Sequence, residues 1–219
     1  MPLIDQFGKN AAIAARWLSW ADQDYIGARA LLLKRLIVQG SGLSNTAIEK
    51  YLKTVLIMKG IPFPRGRDGH NVVLLNESLV GAGVDLKLNA QYLNILTKAY
   101  RLRYPDDLEP GFNIVLEQMK MLTELDTTVH RIRRGFGFKQ GDRTRQTKVD
   151  LLLEQKAPKL LERNSAFAEC SRVELFSESS QVYELRILPD GTPLEATYET
   201  DQIKDDGRFD LEALKPGHS

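Results

Sequence analysis

Four groups of residues in this chain have types and spacings that could do chemistry. The run AYRLRYPDD, residues 99–107, sets Arg101 and Arg103 beside Tyr104 and Asp106. Arginine grips phosphate oxygens through paired N–H donors, and a tyrosine ring offers a face for a base, so this run suits a phosphate-bearing ligand or RNA. A structural role is equally open, with Asp106 receiving Arg103 and Tyr104 packing on a neighbouring helix. The second group is Glu49, Lys50 and Lys53 in AIEKYLKTVLIMKG. Lys50 and Lys53 are candidates for ligand or partner contact, but the pattern also fits a solvated helix face with an external Glu49–Lys53 pair. The third is Arg65 and His70, an Arg-x(4)-His spacing in which histidine could move a proton while arginine steadies phosphate charge. With three histidines in the chain such a match arises by chance, and His70 reads first as a hydrogen-bonding residue at a helix start.

The fourth group runs from His130 to Lys148. Arg131, Arg133, Arg134, Lys139, Arg143, Arg145 and Lys148 stand there against Asp142 alone, with Phe136 and Phe138 interleaved. Basic charge with aromatics suits single-stranded nucleic acid. These arginines can equally neutralise a helix C-terminus and an acidic region elsewhere. No cluster has metal-ligand spacing, the GAG at 81–83 lacks the Lys-Ser/Thr of a phosphate loop, and neither a nucleophile elbow nor a dinucleotide fingerprint is present. No metal or cofactor is expected.

The elements that must position these groups are mostly helical. Ala14, Trp17, Ala21, Ala28 and Leu32 recur at three-to-four spacing, which predicts a first helix from Ala11 to about Val38, ended by Gly40-Ser41-Gly42. Asp24 falls near its buried face and reads as an acid paired with a donor. Thr46 and Glu49 have capping-box spacing, so a second helix is expected from Thr46 to Lys59. A short third helix begins at His70, a fourth spans Asn89 to Arg103, and a fifth spans Phe112 to Arg133. Residues 136–148 read as a basic linker. Beyond them VDLLLEQKAPKLLER reads as a helix kinked at Pro158. SRVELFS, QVYELRIL and PLEATYET read as strands of a small antiparallel meander, the last two joined at PDGT, with an acidic tail after them. The expected organisation is a helical bundle over 1–135 and a small α+β unit over 149–219.

With 42% hydrophobic and 27% charged residues in 219, the chain can bury a sizeable core and is not of disordered composition. No apolar run reaches the ~18 residues of a membrane span. The N-terminus lacks the basic start and apolar stretch of a signal peptide, and Cys170 alone can form no disulfide, so a cytoplasmic location is expected. The net charge of +1 hides a basic front, with 22 Lys and Arg against 14 acids up to residue 148, and an acidic back. The front could meet a polyanion, or the two halves could neutralise each other.

Taken in order, four segments resemble the HEPN domain family over about residues 11–135. They are Trp17, Ala21, Asp24 and Ala28 as WxxxAxxDxxxA; Glu49, Lys50 and Lys53 ahead of Gly60; HNVVLL from His70; and Tyr100 to Asp106 as Tyr-x-x-Arg-Tyr-Pro-Asp. The resemblance implies a helical bundle that commonly dimerises. Many such proteins are RNA-cleaving toxins or defence factors, and others have lost catalysis and bind nucleotides, RNA or proteins. Catalytic members carry Arg-x(4–6)-His near the fourth helix, whereas here Arg103 is followed by Tyr104 and Pro105. A non-catalytic module binding RNA or a nucleotide is therefore expected, as a homodimer, in a stress or defence setting of toxin–antitoxin type with a nucleotidyltransferase-type partner. The alternatives are a divergent ribonuclease using Arg65, His70, Arg101 and Arg103, and a protein-interaction module that binds no ligand.

Overall fold

The computed structural model describes residues 9–134, 139–140, 143–144, 146–168, 170–204 and 207–209. The chain is mainly helical. Five helices form the bundle: α1 (Lys9–Leu33), α2 (Ile37–Lys59), α3 (Val72–Gly81), α4 (Ala90–Arg101) and α5 (Gln118–Arg133). Strand β1 (Asn113–Glu117) precedes α5, and two-residue strands β2 (Lys139–Gln140) and β3 (Arg143–Thr144) follow it. Then come α6 (Lys148–Glu154), α7 (Pro158–Leu161), α8 (Arg172–Ser177), β4 (Ser180–Ile187) and β5 (Pro193–Thr200). The sheet has the order β1-β4-β5 and is antiparallel throughout.

Gly40-Ser41-Gly42 does not end the first helix. The break comes earlier, at a turn where Arg35 takes a φ of 62°, and α2 runs straight through both glycines. The reason is close approach. A Cβ on Gly40 would lie 2.8 Å from Leu32, and one on Gly27 3.1 Å from Leu43, so bare backbone lets α1 and α2 pack tightly. Thr46, expected as a cap, lies inside the helix and its hydroxyl donates to Gly42 O at 3.2 Å.

The fifth helix begins at Gln118, not Phe112. Ile114, Val115 and Leu116 are extended and pair with Leu185, Glu184 and Tyr183 of β4, a partner too distant in sequence for local periodicity to reveal. SRVELFS is correspondingly a helix, α8, and β1 takes its expected place in the sheet. Pro158 starts α7 after a break at Lys156 and Ala157, where it avoids the clash a mid-helix proline would cause. The PDGT turn forms as expected, with Gly191 at a φ of 85°.

Two ion pairs cross between α1 and α5 inside the bundle. Asp22 receives Arg133 at 2.7 Å, and about two turns along α1 Arg29 donates to Asp126, so cation and anion are exchanged between the helices. Each pair is extended from elsewhere. Asp22, fully buried, also accepts Tyr51 OH at 2.6 Å and the Val149 backbone N–H at 3.0 Å. Asp126 accepts Tyr25 OH at 2.7 Å, while Arg29 also donates to Glu162 O. Asn164 donates to Tyr25 OH at 3.3 Å. The segment from Thr147 to Asn164 is thus packed onto the bundle, and the β1–β4 ladder joins the two sequence regions a second time. At the far end Phe209 is buried against Tyr92, with ring centroids 5.7 Å apart.

Asp22→Ala would strand Tyr51 OH and the Val149 N–H in the interior and leave Arg133 with only Asp150 and Thr147. A loss of about 3–5 kcal/mol is expected, read from urea denaturation. Asp126 gives a pH signature. Burial, opposed by Arg29 and Tyr25, lifts its carboxyl to about 6. The folded value lies above the unfolded one near ~4, so its stabilising contribution is full below that and lost as pH rises through about 6. Urea midpoints measured from pH 4 to 7 should show this decline in the wild type, and Asp126→Asn should flatten it.

Candidate functional site

The glycine-mediated approach of α1 and α2 fixes the face of α2 that carries Glu49 and Lys53, and α4 packs across the same helix. Glu49 and Lys53 are not a solvated pair. Both are buried, and the carboxylate accepts Lys53 Nζ at 2.6 Å. The Lys53 ammonium sits 5.4 Å from the centre of the Trp17 ring and 5.6 Å from that of Phe63, with Gly69 close by. The other Glu49 oxygen is 2.9 Å from His70 Nδ1.

His70 turns to Glu49 and does not cap the helix. Asn71 caps α3, its side chain accepting from the N–H groups of Val73 and Leu74, while the His70 ring turns to Glu49. With Nδ1 held by a carboxylate, the natural tautomer donates from Nδ1 and leaves Nε2 to accept. The imidazole stacks on Tyr100, with centroids 5.4 Å apart and planes inclined by 17°. Arg103 lays its guanidinium 5.2 Å from the Tyr100 ring centre, and Tyr104 meets that ring edge-on at 6.2 Å. Burial and the neighbouring Tyr104 hydroxyl raise the Tyr100 phenol above its ordinary value, so it stays protonated at neutral pH.

A cleft of about 410 Å³ opens over this group, lined by His70, Thr97, Tyr100, Arg101 and Tyr104, with Asn71, Asp68 and Asp107 completing it. Its volume is in the range of small-molecule sites. Tyr104 is half exposed and offers a free aromatic face. Arg101 is fixed by donating to Asp107 O at 3.1 Å and by lying 5.2 Å from the Phe112 ring centre, and its Nε has no partner among the described residues. The two carboxylates, Asp68 and Asp107, would repel phosphate but can accept from hydroxyl or amino groups. The cleft thus combines a guanidinium able to donate to anionic oxygens with carboxylates able to accept from hydroxyl or amino groups.

The remaining expected residues are placed as follows. Asp106 is exposed and, among the described residues, does not receive Arg103. Lys50 pairs with Asp24 beside a different cleft, described below. Asp24 does find its donor, but the deeply buried acid of α1 is Asp22, two positions earlier. Arg65 is exposed and does not line the cleft beside His70. Of the basic patch, Arg133 is committed to Asp22, Asp150 and Thr147 in the interior. Arg131 and Arg134 are exposed, the former donating to Lys87 O. Arg145, Phe136 and Phe138 lie outside the described residues, as do the side chains of Lys139 and Arg143. Sequence reasoning missed Thr97, Asp68 and Asp107, and it undervalued Tyr100; the i,i+3 and i,i+4 spacing of Thr97, Tyr100 and Arg101 on α4 was the available signal.

Among the described residues no group of three His, Cys, Asp or Glu could hold a metal ion, and no helix is long and apolar enough to cross a membrane. In comparison with known families, the sequence model of the HEPN domain matches residues 14–132, spanning α1 to the end of α5. Comparison with curated proteins and with solved structures gives no match in either case.

The two ion pairs beside the site separate burial from geometry. Glu49→Ala leaves the Lys53 ammonium buried and unpaired, and should cost about 3 kcal/mol or more. Asp24→Ala breaks an equally close pair whose side chains are about a quarter exposed, and should cost under ~1 kcal/mol. Thermal and urea denaturation of the two variants checks the contrast.

Proposed function

Since the chain belongs to the HEPN domain family, whose members act broadly on or around RNA, we propose that the cleft at the end of α4 binds a nucleotide unit of single-stranded RNA, or a free nucleotide, without cutting it. The observation that carries this reading is the arrangement of Tyr100, Arg101 and Tyr104 on one cleft, with an open aromatic face at Tyr104 and the Arg103 guanidinium against the Tyr100 ring. A base stacks on Tyr104, the two guanidinium groups take the phosphate, and Asp68 and Asp107 accept from sugar hydroxyls. Lys53 is tied to Glu49, and His70 is the one histidine that lines the cleft among the described residues. Strand cleavage asks for both a general base and a general acid, and one histidine without a second beside it serves that poorly.

One observation favours the ribonuclease reading nonetheless. The Glu49–His70 contact orients the imidazole as a general base would be oriented, with Arg101 on the same cleft. Arg65, the other half of the sequence motif, stands away from it. The stress or defence setting and a nucleotidyltransferase-type partner rest on the family resemblance. The homodimer rests on that and on the exposed Ile13 and Trp20, which lie along one side of α1 with Trp17.

Fluorescence anisotropy with a short single-stranded RNA should show binding that weakens as salt rises, because counterions compete for the phosphates. Tyr104→Ala should weaken it about tenfold through lost stacking, and Arg103→Ala by a similar factor. The RNA should survive long incubation intact. Cleavage that vanishes in His70→Gln would replace this reading with the nuclease one, and no binding at low salt would favour a protein-interaction role. Light scattering over a micromolar dilution series should give twice the chain mass; a constant 24.7 kDa would count against the dimer.

A further inference from the structure

A second cleft, of about 440 Å³, is lined by Arg103, two residues beyond the Arg101 of the first. Its walls are Gln39, Gly42, Thr46 and Lys50 of α2, Asp24 of α1, and Arg103 at the end of α4. The two clefts share one partition. Arg103 belongs to the second, yet its guanidinium rests 5.2 Å from the centre of the Tyr100 ring, which lines the first. The Arg103 stem runs alongside Gly42, where a Cβ would stand 3.7 Å from Arg103 Cδ, an ordinary contact. The cation is thus braced at the boundary, with no ion-pair partner among the described residues.

Among the described residues the second cleft has no aromatic wall, and Val38, Leu43 and Leu102 line it beside its polar groups. Gln39 is exposed and carries both a donor and an acceptor. Thr46 donates its hydroxyl proton to Gly42 O at 3.2 Å, which leaves its oxygen lone pairs to accept. Lys50 is held by Asp24, so the charge on this wall is balanced. Such a surface reads hydroxyls and base edges, and contributes little stacking.

We propose that the second cleft is a second nucleotide subsite, so that the protein holds two consecutive nucleotides of single-stranded RNA. The inference rests on the reading of the first cleft given above. One nucleoside stacks on Tyr104, the bridging phosphate crosses Arg103, and the next nucleoside lies against Gln39 and Thr46.

Equilibrium binding of a nucleoside monophosphate and of a dinucleoside monophosphate tests this directly. Both the 5′- and the 3′-monophosphate are used, so that one base plus one phosphate is matched in each sense. The wild type should bind the dinucleotide about tenfold more tightly, the scale of one added charge-independent polar contact set. Gln39→Ala with Thr46→Val should abolish that gain and leave monophosphate affinity, circular dichroism and melting unchanged. Monophosphate binding with no gain from the second nucleoside overturns the subsite and leaves the first cleft standing. A gain that persists in the double variant overturns it too, by placing the second nucleoside elsewhere. Failure to bind either ligand removes the first cleft's reading and this inference with it.

Discussion

The two crossed ion pairs between α1 and α5 are the constraint on which the rest of this structure depends. Asp22 with Arg133 and Arg29 with Asp126 put two anions and two cations in an interior where none could be left alone. Their remaining hydrogen-bonding capacity must also be met, and the bundle's own helices do not meet all of it. Tyr25 and Tyr51 supply two hydroxyls, while the Val149 N–H, the Glu162 carbonyl and Asn164 come from the region after the bundle. The C-terminal region is thereby held against the helices by polar satisfaction as well as by the β1–β4 ladder.

With α1 fixed by α5, the glycine contacts bring α2 close, and α2 becomes the platform for the site. From it Glu49 reaches in one direction to Lys53 and in the other to His70, and His70 supports Tyr100 from below the cleft. Tyr100 in turn carries Arg103 and meets Tyr104. Three separated sequence segments thus form one stack whose exposed end is a cation and a phenol. Each link restricts the rotamers of the next, so the lining of the cleft is preorganised.

Much of this was legible in the sequence, and the exceptions share a cause. The helical bundle and the PDGT hairpin follow from periodicity and turn chemistry, and the motif ending α4 singles out Arg101 and Tyr104, which line the first cleft, and Arg103, which lines the second. Local spacing misassigned Gly40 and Gly42, because a glycine used for close helix approach looks like one used to stop a helix. It misassigned Ile114–Leu116 because their partner strand is far along the chain. Arg133 looked like part of a nucleic-acid patch, and Glu49 and Lys53 like a surface pair, because charge in a sequence carries no mark of burial. Asp22, Arg29 and Asp126 drew no notice for the opposite reason: each sits in an apolar stripe whose regularity it barely disturbs.

The account turns on the end of α4, and not the basic segment after α5, being where nucleic acid meets the protein. Ultraviolet cross-linking of a short single-stranded RNA, followed by mass spectrometric mapping of the attached residue, decides between them. The account predicts attachment at Tyr104, with Tyr100 as the other site, and its loss in high salt. Attachment confined to residues 131–148, with none on α4, would contradict it.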